Sequence, residues 1–206
     1  MKVLNKITSF FYPILKCPIC LTFNEGLCID CRASFTSYDN RSLKQEEDGI
    51  SLYIHRESAK ALVSNFKKKV IYSAGDAMVM LFLEKLSVER ECFDFITYAP
   101  SSLASVRKLG FDHGAYLAKG IAKELKVPVI GIFKPSDKEQ KVLERDERLL
   151  NARKITIRDN KISGLKGKRG LVIDDVFTTG STVLYCLELM KRKGIACKYI
   201  TFSRIL

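Results

Sequence analysis

Residues 169–194 read RGLVIDDVFTTGSTVLYCLELMKRKG, and no other stretch limits the fold of this chain as tightly. Leu171, Val172 and Ile173 form a short apolar run of the kind expected of a buried strand. Thr178, Thr179, Gly180, Ser181 and Thr182 then make a turn. From about Ser181 apolar residues recur at helical spacing as far as Gly194, which stops the helix. Between strand and turn stand two adjacent carboxylates, Asp174 and Asp175. A connection serving only the fold would avoid two like charges side by side after a buried strand, so a polar ligand is expected there.

The rest of the chain repeats this alternation. A strand is expected over 50–54, helices over 58–69 and 73–89, and a short strand in FDFITYAP stopped by Pro100. A helix over GAYLAKGIAKEL, a strand in VPVIGIF, a strand in KITIRDN that could serve as a hairpin arm toward GLKGKRG, and a closing strand CKYITFSRI follow. Residues 134–154 are highly charged and read as a loop or an exposed helix. Strands alternating with helices predict an α/β domain with a mainly parallel sheet over residues 50–206. In such sheets ligands gather beyond the carboxyl ends of the strands, here the loops Tyr98 to Arg107 and Asp174 to Thr182.

The turn has a chemistry of its own. The first N–H groups of a helix lack partners inside it, Gly180 lets the backbone approach a ligand, and the Thr and Ser hydroxyls add donors. That makes a cradle for one phosphate, and the helix dipole favours the anion. The carboxylates just before it would repel phosphate but accept hydrogen bonds from vicinal hydroxyls. Phosphate at one end and a diol at the other describe a ribose 5-phosphate unit. The glycine-rich loop of nucleotide hydrolases has a different spacing, absent here.

Residues 17–31, CPICLTFNEGLCIDC, place Cys17, Cys20, Cys28 and Cys31 as two Cys-x2-Cys knuckles. Two residues between sulfurs let a tight turn aim both at one ion, and two knuckles close a tetrahedral zinc site with no open position. Such a site is structural, and it holds a segment too short to build a core. A module over residues 1–45 with a polar linker over 36–50 is therefore expected. Seven cysteines, an odd number, and an N-terminal ITSFFYPIL broken by Pro13 and without a cleavage site point to a cytoplasmic protein without a secretory signal. No run approaches the roughly 18 apolar residues of a membrane span.

The formal net charge of +12 is concentrated in residues 111–170, with 15 basic against 8 acidic side chains. That bias favours a polyanionic partner, either nucleic acid or a phosphorylated small molecule. Aromatic residues Phe111, Tyr116 and Phe133 beside such a groove would suit single-stranded DNA. His113 reads as a helix cap, and the sequence offers no partner for His55.

VIDDVFTTGST resembles the signature of the type I phosphoribosyltransferases. Together with the four-cysteine module, KLGFDHGAYLAKGIA and the pattern Gln140, Arg145 to Arg148 and Asn151, the chain resembles the ComF family, linked to DNA uptake in natural transformation. It departs from that family in having Leu109 before Gly110 and Tyr98-Ala99-Pro100 at a strand end. The resemblance implies that Asp174 and Asp175 contact ribose hydroxyls and that Thr178 to Thr182 hold the 5-phosphate of phosphoribosyl pyrophosphate. Pro100, Ser101 and Ser102 would contact the pyrophosphate, with charge from Arg107 and Lys108 and with magnesium bound partly by substrate oxygens. Arg145 and Arg148 would close over the site. Two readings stay open: a transferase displacing pyrophosphate, and a non-catalytic single-stranded-DNA-binding module working with other DNA-uptake proteins.

Overall fold

A computed structural model of the chain describes residues 16–40, 48–89, 91–134 and 154–206. The N-terminal arm, and the charged segment that carries Gln140, Arg145, Arg148 and Asn151, lie outside the described residues. The elements are α1 (Ile29–Ala33), β1 (Gly49–Ile54), α2 (Glu57–Lys69), α3 (Tyr72–Glu89), β2 (Phe95–Tyr98), α4 (Leu103–Leu109) and α5 (His113–Leu125). They continue with β3 (Phe133–Lys134), β4 (Thr156–Ile157), α6 (Asp159–Ile162), β5 (Arg169–Phe177), α7 (Ser181–Arg192) and β6 (Ala196–Arg204).

Four parallel strands form one sheet in the order β1, β6, β5, β2, as expected of an α/β chain of this kind. Side chains along β5 alternate between faces. Leu171 and Ile173 join Leu62, Phe66, Met78, Phe82, Leu117 and Ile121 beneath α2, α3 and α5. Val172 joins Val183, Cys186, Met190 and Tyr199 beneath α7. Each large apolar side chain removed from water in this way contributes about 1.5–3 kcal/mol before entropy is set against it.

Strand β5 is interior, so its carboxyl end opens at the middle of the sheet's edge. The chain leaves β2 outward, through α5 on one face, to a parallel bridge between Ile96 and Val129. It leaves β5 in the other sense, through α7 on the opposite face, to β6. A reversal of this kind opens a crevice between the carboxyl ends of the two strands.

Several expectations are corrected. The strand foreseen in VPVIGIF shrinks to that one bridge, with Ile96 N–H donating to Pro128 O and Ile130 N–H to Ile96 O, both at 2.9 Å. Pro128 has no N–H to extend the ladder, and the Gly131 carbonyl is taken by Arg158 Nη1 at 2.8 Å. Phe133 and Lys134 instead pair antiparallel with Thr156 and Ile157, so the arm in KITIRDN meets β3 and not GLKGKRG. The loop expected after Tyr98 contains α4, capped by the Ser102 hydroxyl, which accepts from Ser105 N–H, and ended by Gly110 in the left-handed conformation. Part of the expected linker is built into the body. Tyr38 N–H donates to Leu52 O at 2.9 Å, Ile54 N–H to Thr36 O at 2.8 Å, and Asn40 brackets Ser51.

Candidate functional site

The acid pair lies inside β5, which runs on to Phe177. Alternation therefore sends the two carboxylates to opposite faces. Asp175 falls on the face of α2, α3 and α5, where Lys67 Nζ meets its Oδ2 at 2.7 Å. The Asp175 side chain is 9% exposed and that of Lys67 40%. Asp174 is half-buried on the α7 face, and its Oδ1 accepts from the Asp175 N–H at 2.9 Å.

These environments drive the two acids apart. Burial, then the negative charge of Asp175, push the Asp174 carboxyl up from 3.8 to about 8. Burial would also raise Asp175, but the Lys67 ammonium overcomes it and holds that carboxyl below its ordinary value. The pair therefore keeps one proton near neutral pH. The raised Asp174 makes folding more favourable at low pH, a contribution lost as pH rises from 3.8 through about 8. Asp175 contributes in the opposite sense, above its unfolded value and lost as pH falls. Asp174→Asn should accordingly leave thermal stability near pH 4 unchanged and raise it by roughly 1–3 kcal/mol at pH 9, read from melting curves across pH. Equal curves at pH 9 would show that Asp174 ionises freely.

Beyond the pair, Thr178 is exposed, Thr179 and Thr182 are half-buried, and Gly180 and Ser181 are buried. Gly180 has φ of +74°, and a Cβ there would come within 2.2 Å of the Phe177 ring. Only glycine fits both the turn and that ring. The Thr179 and Ser181 hydroxyls share a hydrogen bond, and Ser181 N–H leans toward Thr179 Oγ1 at 3.4 Å. One amide of the turn thus already has a long intramolecular partner. At the end of β6, Arg204 lays its guanidinium over the Phe177 ring, 3.9 Å from its centroid.

Across the crevice, Ser101 Oγ donates to Asp112 Oδ1 at 3.1 Å, and the same oxygen caps α5 through Ala115 N–H at 3.2 Å. Ala99 N–H donates to Ile173 O at 2.9 Å, which holds the Pro100–Ser102 turn beside the acid pair. Ser102 caps α4. Arg107 is exposed on α4 and makes no ion pair among the described residues. Lys108 shares that helix, but its side chain lies outside the described residues.

Sequence reasoning missed Lys67, Asp112 and Arg204. It also misread His113. Asp112, not His113, caps α5. His113 is 2% exposed, packs edge-on against Phe66 with ring centroids 5.0 Å apart, and its Nε2 has no hydrogen-bond partner among the described residues. Burial lowers its pKa, against the pull of Asp175. His55 does have a partner, Ser203 Oγ at 2.8 Å. A lysine run ending α2 carries no motif, so only packing reveals that Lys67 reaches Asp175.

The four cysteines form a second centre. The Sγ atoms of Cys17, Cys20, Cys28 and Cys31 lie within 4.8 Å of one another. Cys20 and Cys28 Sγ are 3.7 Å apart, close to the edge of about 3.8 Å for a tetrahedron with metal–sulfur bonds near 2.3 Å. The cluster can hold a metal ion. Gly26 at φ +73° turns the chain between the knuckles. Helix α1 buries no residue of its own, whereas Phe35 just beyond it packs on Tyr53 and Phe202, with ring centroids 4.7 and 6.1 Å away. Asn65 Nδ2 donates to Pro18 O at 2.7 Å, tying the first knuckle to α2.

Residues 112–201, from the α5 cap into β6, match the phosphoribosyl transferase domain family. Across 204 residues the chain is 26% identical to "Competence protein ComFC" of Bacillus subtilis (strain 168), covering 98% of this chain and 80% of that protein. The chain is similar to this competence protein along almost its whole length. Its parallel α/β sheet accords with the phosphoribosyl transferase domain match. Among solved structures it overlaps adenine phosphoribosyltransferase from Leishmania tarentolae at 16% identity, over 79% of this chain and 94% of that one, with a TM-score of 0.45. The Saccharomyces cerevisiae enzyme overlaps at 16% identity over 86% of each chain, with a TM-score of 0.44. No helix among the described residues is long and apolar enough to cross a membrane.

Proposed function

We propose that this ComF-like protein binds phosphoribosyl pyrophosphate at the carboxyl end of β5 and acts in the uptake of DNA, in the cytoplasm. One observation carries the ligand assignment: an acid pair at the end of an interior strand, running through an obligatory glycine into a helix N-terminus at the reversal of the sheet. The chain's residues divide the work. Asp174 and Asp175 hold the ribose hydroxyls, and residues Thr178 to Thr182 hold the 5-phosphate on backbone N–H groups and hydroxyls. Pro100, Ser101 and Ser102 face the pyrophosphate, with Arg107 and Lys108 adding charge from α4. Magnesium, held partly by the substrate's own oxygens, would supply charge against the pyrophosphate. If an acceptor is present, the anomeric carbon would pass through an oxocarbenium-like state, and a fixed ribose lowers the cost of reaching it. The domain division is read as a metal-bound module within residues 1–45, docked on a transferase-type domain over 50–206, and the sulfur spacing favours zinc as its metal.

Calorimetry with phosphoribosyl pyrophosphate and magnesium tests the ligand. One saturable site per chain is expected, and heats no larger than dilution would refute it.

A second reading has its own support. Tyr72, 53% exposed, stacks near Phe111 and Tyr116 with centroids 5.5 and 5.7 Å away, beside the lysines that end α2. That is a platform for unstacked bases, so the protein also binds single-stranded DNA. Phe133 plays no part, being buried on the other face of the sheet. Tyr72→Ala should weaken binding of an oligothymidine by about tenfold, and wild-type affinity should fall steeply with salt. An affinity flat with salt excludes this role.

A further inference from the structure

Lys67 is assigned to no site by motif or family match, yet it is the cation in direct contact with the acid pair. It reaches Asp175 from the last turn of α2 at 2.7 Å, while its own side chain stays open to solvent along part of its length. A carboxylate offers about four acceptor positions. Lys67 Nζ fills one on Asp175. The remaining positions are those a sugar hydroxyl could use. A carboxylate buried to this degree without a cation would turn away or take up a proton, and in either case would be lost as an acceptor.

The surroundings of Lys67 are built to hold it. The preceding residue, Phe66, is fully buried and packs on Phe111, His113 and Tyr116 at centroid distances of 5.7, 5.0 and 5.3 Å. Val70, in the left-handed conformation, closes α2 directly behind, its N–H donating to Asn65 O. Asn65 in turn grips Pro18 of the first cysteine knuckle at 2.7 Å. The strand end, α2 and the four-cysteine module are thus linked through three neighbouring residues.

We propose that Lys67 is a positioning residue of the ribose site: it locks the Asp175 carboxylate in the orientation that accepts a sugar hydroxyl. It acts through Asp175 and does not touch the ligand's phosphate. This rests on the ribose-phosphate reading of the site, and the two are separable by choice of ligand. Ribose 5-phosphate reports on both ends of the site, and inorganic phosphate reports on the turn alone.

The test measures both affinities by titration in the full chain, wild type against Lys67→Met, Lys67→Arg and Asp175→Asn. Lys67→Met should weaken ribose 5-phosphate by about 30-fold, and Lys67→Arg should recover most of that loss, since a guanidinium still satisfies the carboxylate. Inorganic phosphate should bind all of them alike. The double variant Lys67→Met/Asp175→Asn should bind ribose 5-phosphate no more weakly than Asp175→Asn alone, because the lysine has nothing left to act through. That double variant also removes the unpaired buried charge, so it keeps the test in force if Lys67→Met alone fails to fold. Unchanged affinity in Lys67→Met overturns the proposal. So does tighter binding, which would make the lysine a competitor for the hydroxyl position, and so does an equal loss of inorganic phosphate, which would make it a general support of the fold. A wild type that binds neither ligand overturns the ribose-phosphate reading itself, and this inference with it.

Discussion

Asp174→Asn/Asp175→Asn should bind phosphoribosyl pyrophosphate with magnesium at least about 30-fold more weakly than wild type, because a hydrogen bond to the ionised Asp175 contributes roughly 1.5–3 kcal/mol and one to the protonated Asp174 about 0.5–1.5 kcal/mol, and both are lost. Asparagine keeps the shape of aspartate, so β5 should stay paired with β2 and β6. Loss of charge at Asp174 relieves a buried carboxyl whose ionisation opposes folding. Loss at Asp175 leaves Lys67 unpaired, but its side chain is 40% exposed and water can take the place of the carboxylate. The double variant should therefore fold with a melting curve near that of wild type at neutral pH, and calorimetry would read binding rather than unfolding. Inorganic phosphate, for which the turn from Thr178 to Thr182 is the proposed site, should bind it as it binds wild type. Retention of phosphoribosyl pyrophosphate affinity within about threefold would remove the acids from the site altogether.

Removing the zinc proposed for the four-cysteine cluster should have the second large effect. Structural zinc sites contribute about 10–16 kcal/mol of apparent binding free energy in isolated finger peptides, more than the partly buried Ile19, Leu27 and Phe35 can supply to this segment. Helix α1 buries no residue, and its ion pair from Arg32 to Glu84 at 2.6 Å joins two half-exposed side chains, a contact of little consequence. The purified protein should carry one zinc per chain by elemental analysis. A strong chelator or Cys28→Ser should release it and abolish hydrogen-exchange protection across residues 17–33. Protection in β5 and β6 should persist, since the parallel sheet and its two cores do not pass through the sulfurs. The Phe35 contact with Tyr53 and Phe202 would loosen, lowering the melting temperature of the whole by several degrees. Protection of residues 17–33 undiminished after metal removal would mean that the cluster is not what holds this segment.

Both centres rest on features readable at short range, but neither is complete at that range. The Cys-x2-Cys knuckles announce their metal chemistry because two residues of chain suffice to bring two sulfurs together. The passage from β5 to α7 is equally local: strand pattern, an αL glycine and a helix N-terminus all fall within a few residues. Element types were legible wherever a period ran long enough, as in α3 and α5. They were not legible at VPVIGIF, where a proline without an N–H and a neighbouring hairpin decide the pairing. Nor were they at α4, whose cap by Ser102 and stop at Gly110 were present in the sequence but overshadowed by the expectation of a ligand loop.

By itself the sequence determined the class of sheet, the position of the turn from Thr178 to Thr182, the four-cysteine cluster and the adjacency of two acids. Only the tertiary structure decided what those acids are. Alternation along β5 turns them to opposite faces, and the packing of α2 delivers Lys67 to one of them, so that one carboxyl is held ionised and the other retains its proton. Local chain geometry sets which residues are neighbours in sequence. Burial and charge, which set a carboxyl's pKa, come from residues far away along the chain that only the folded core brings near.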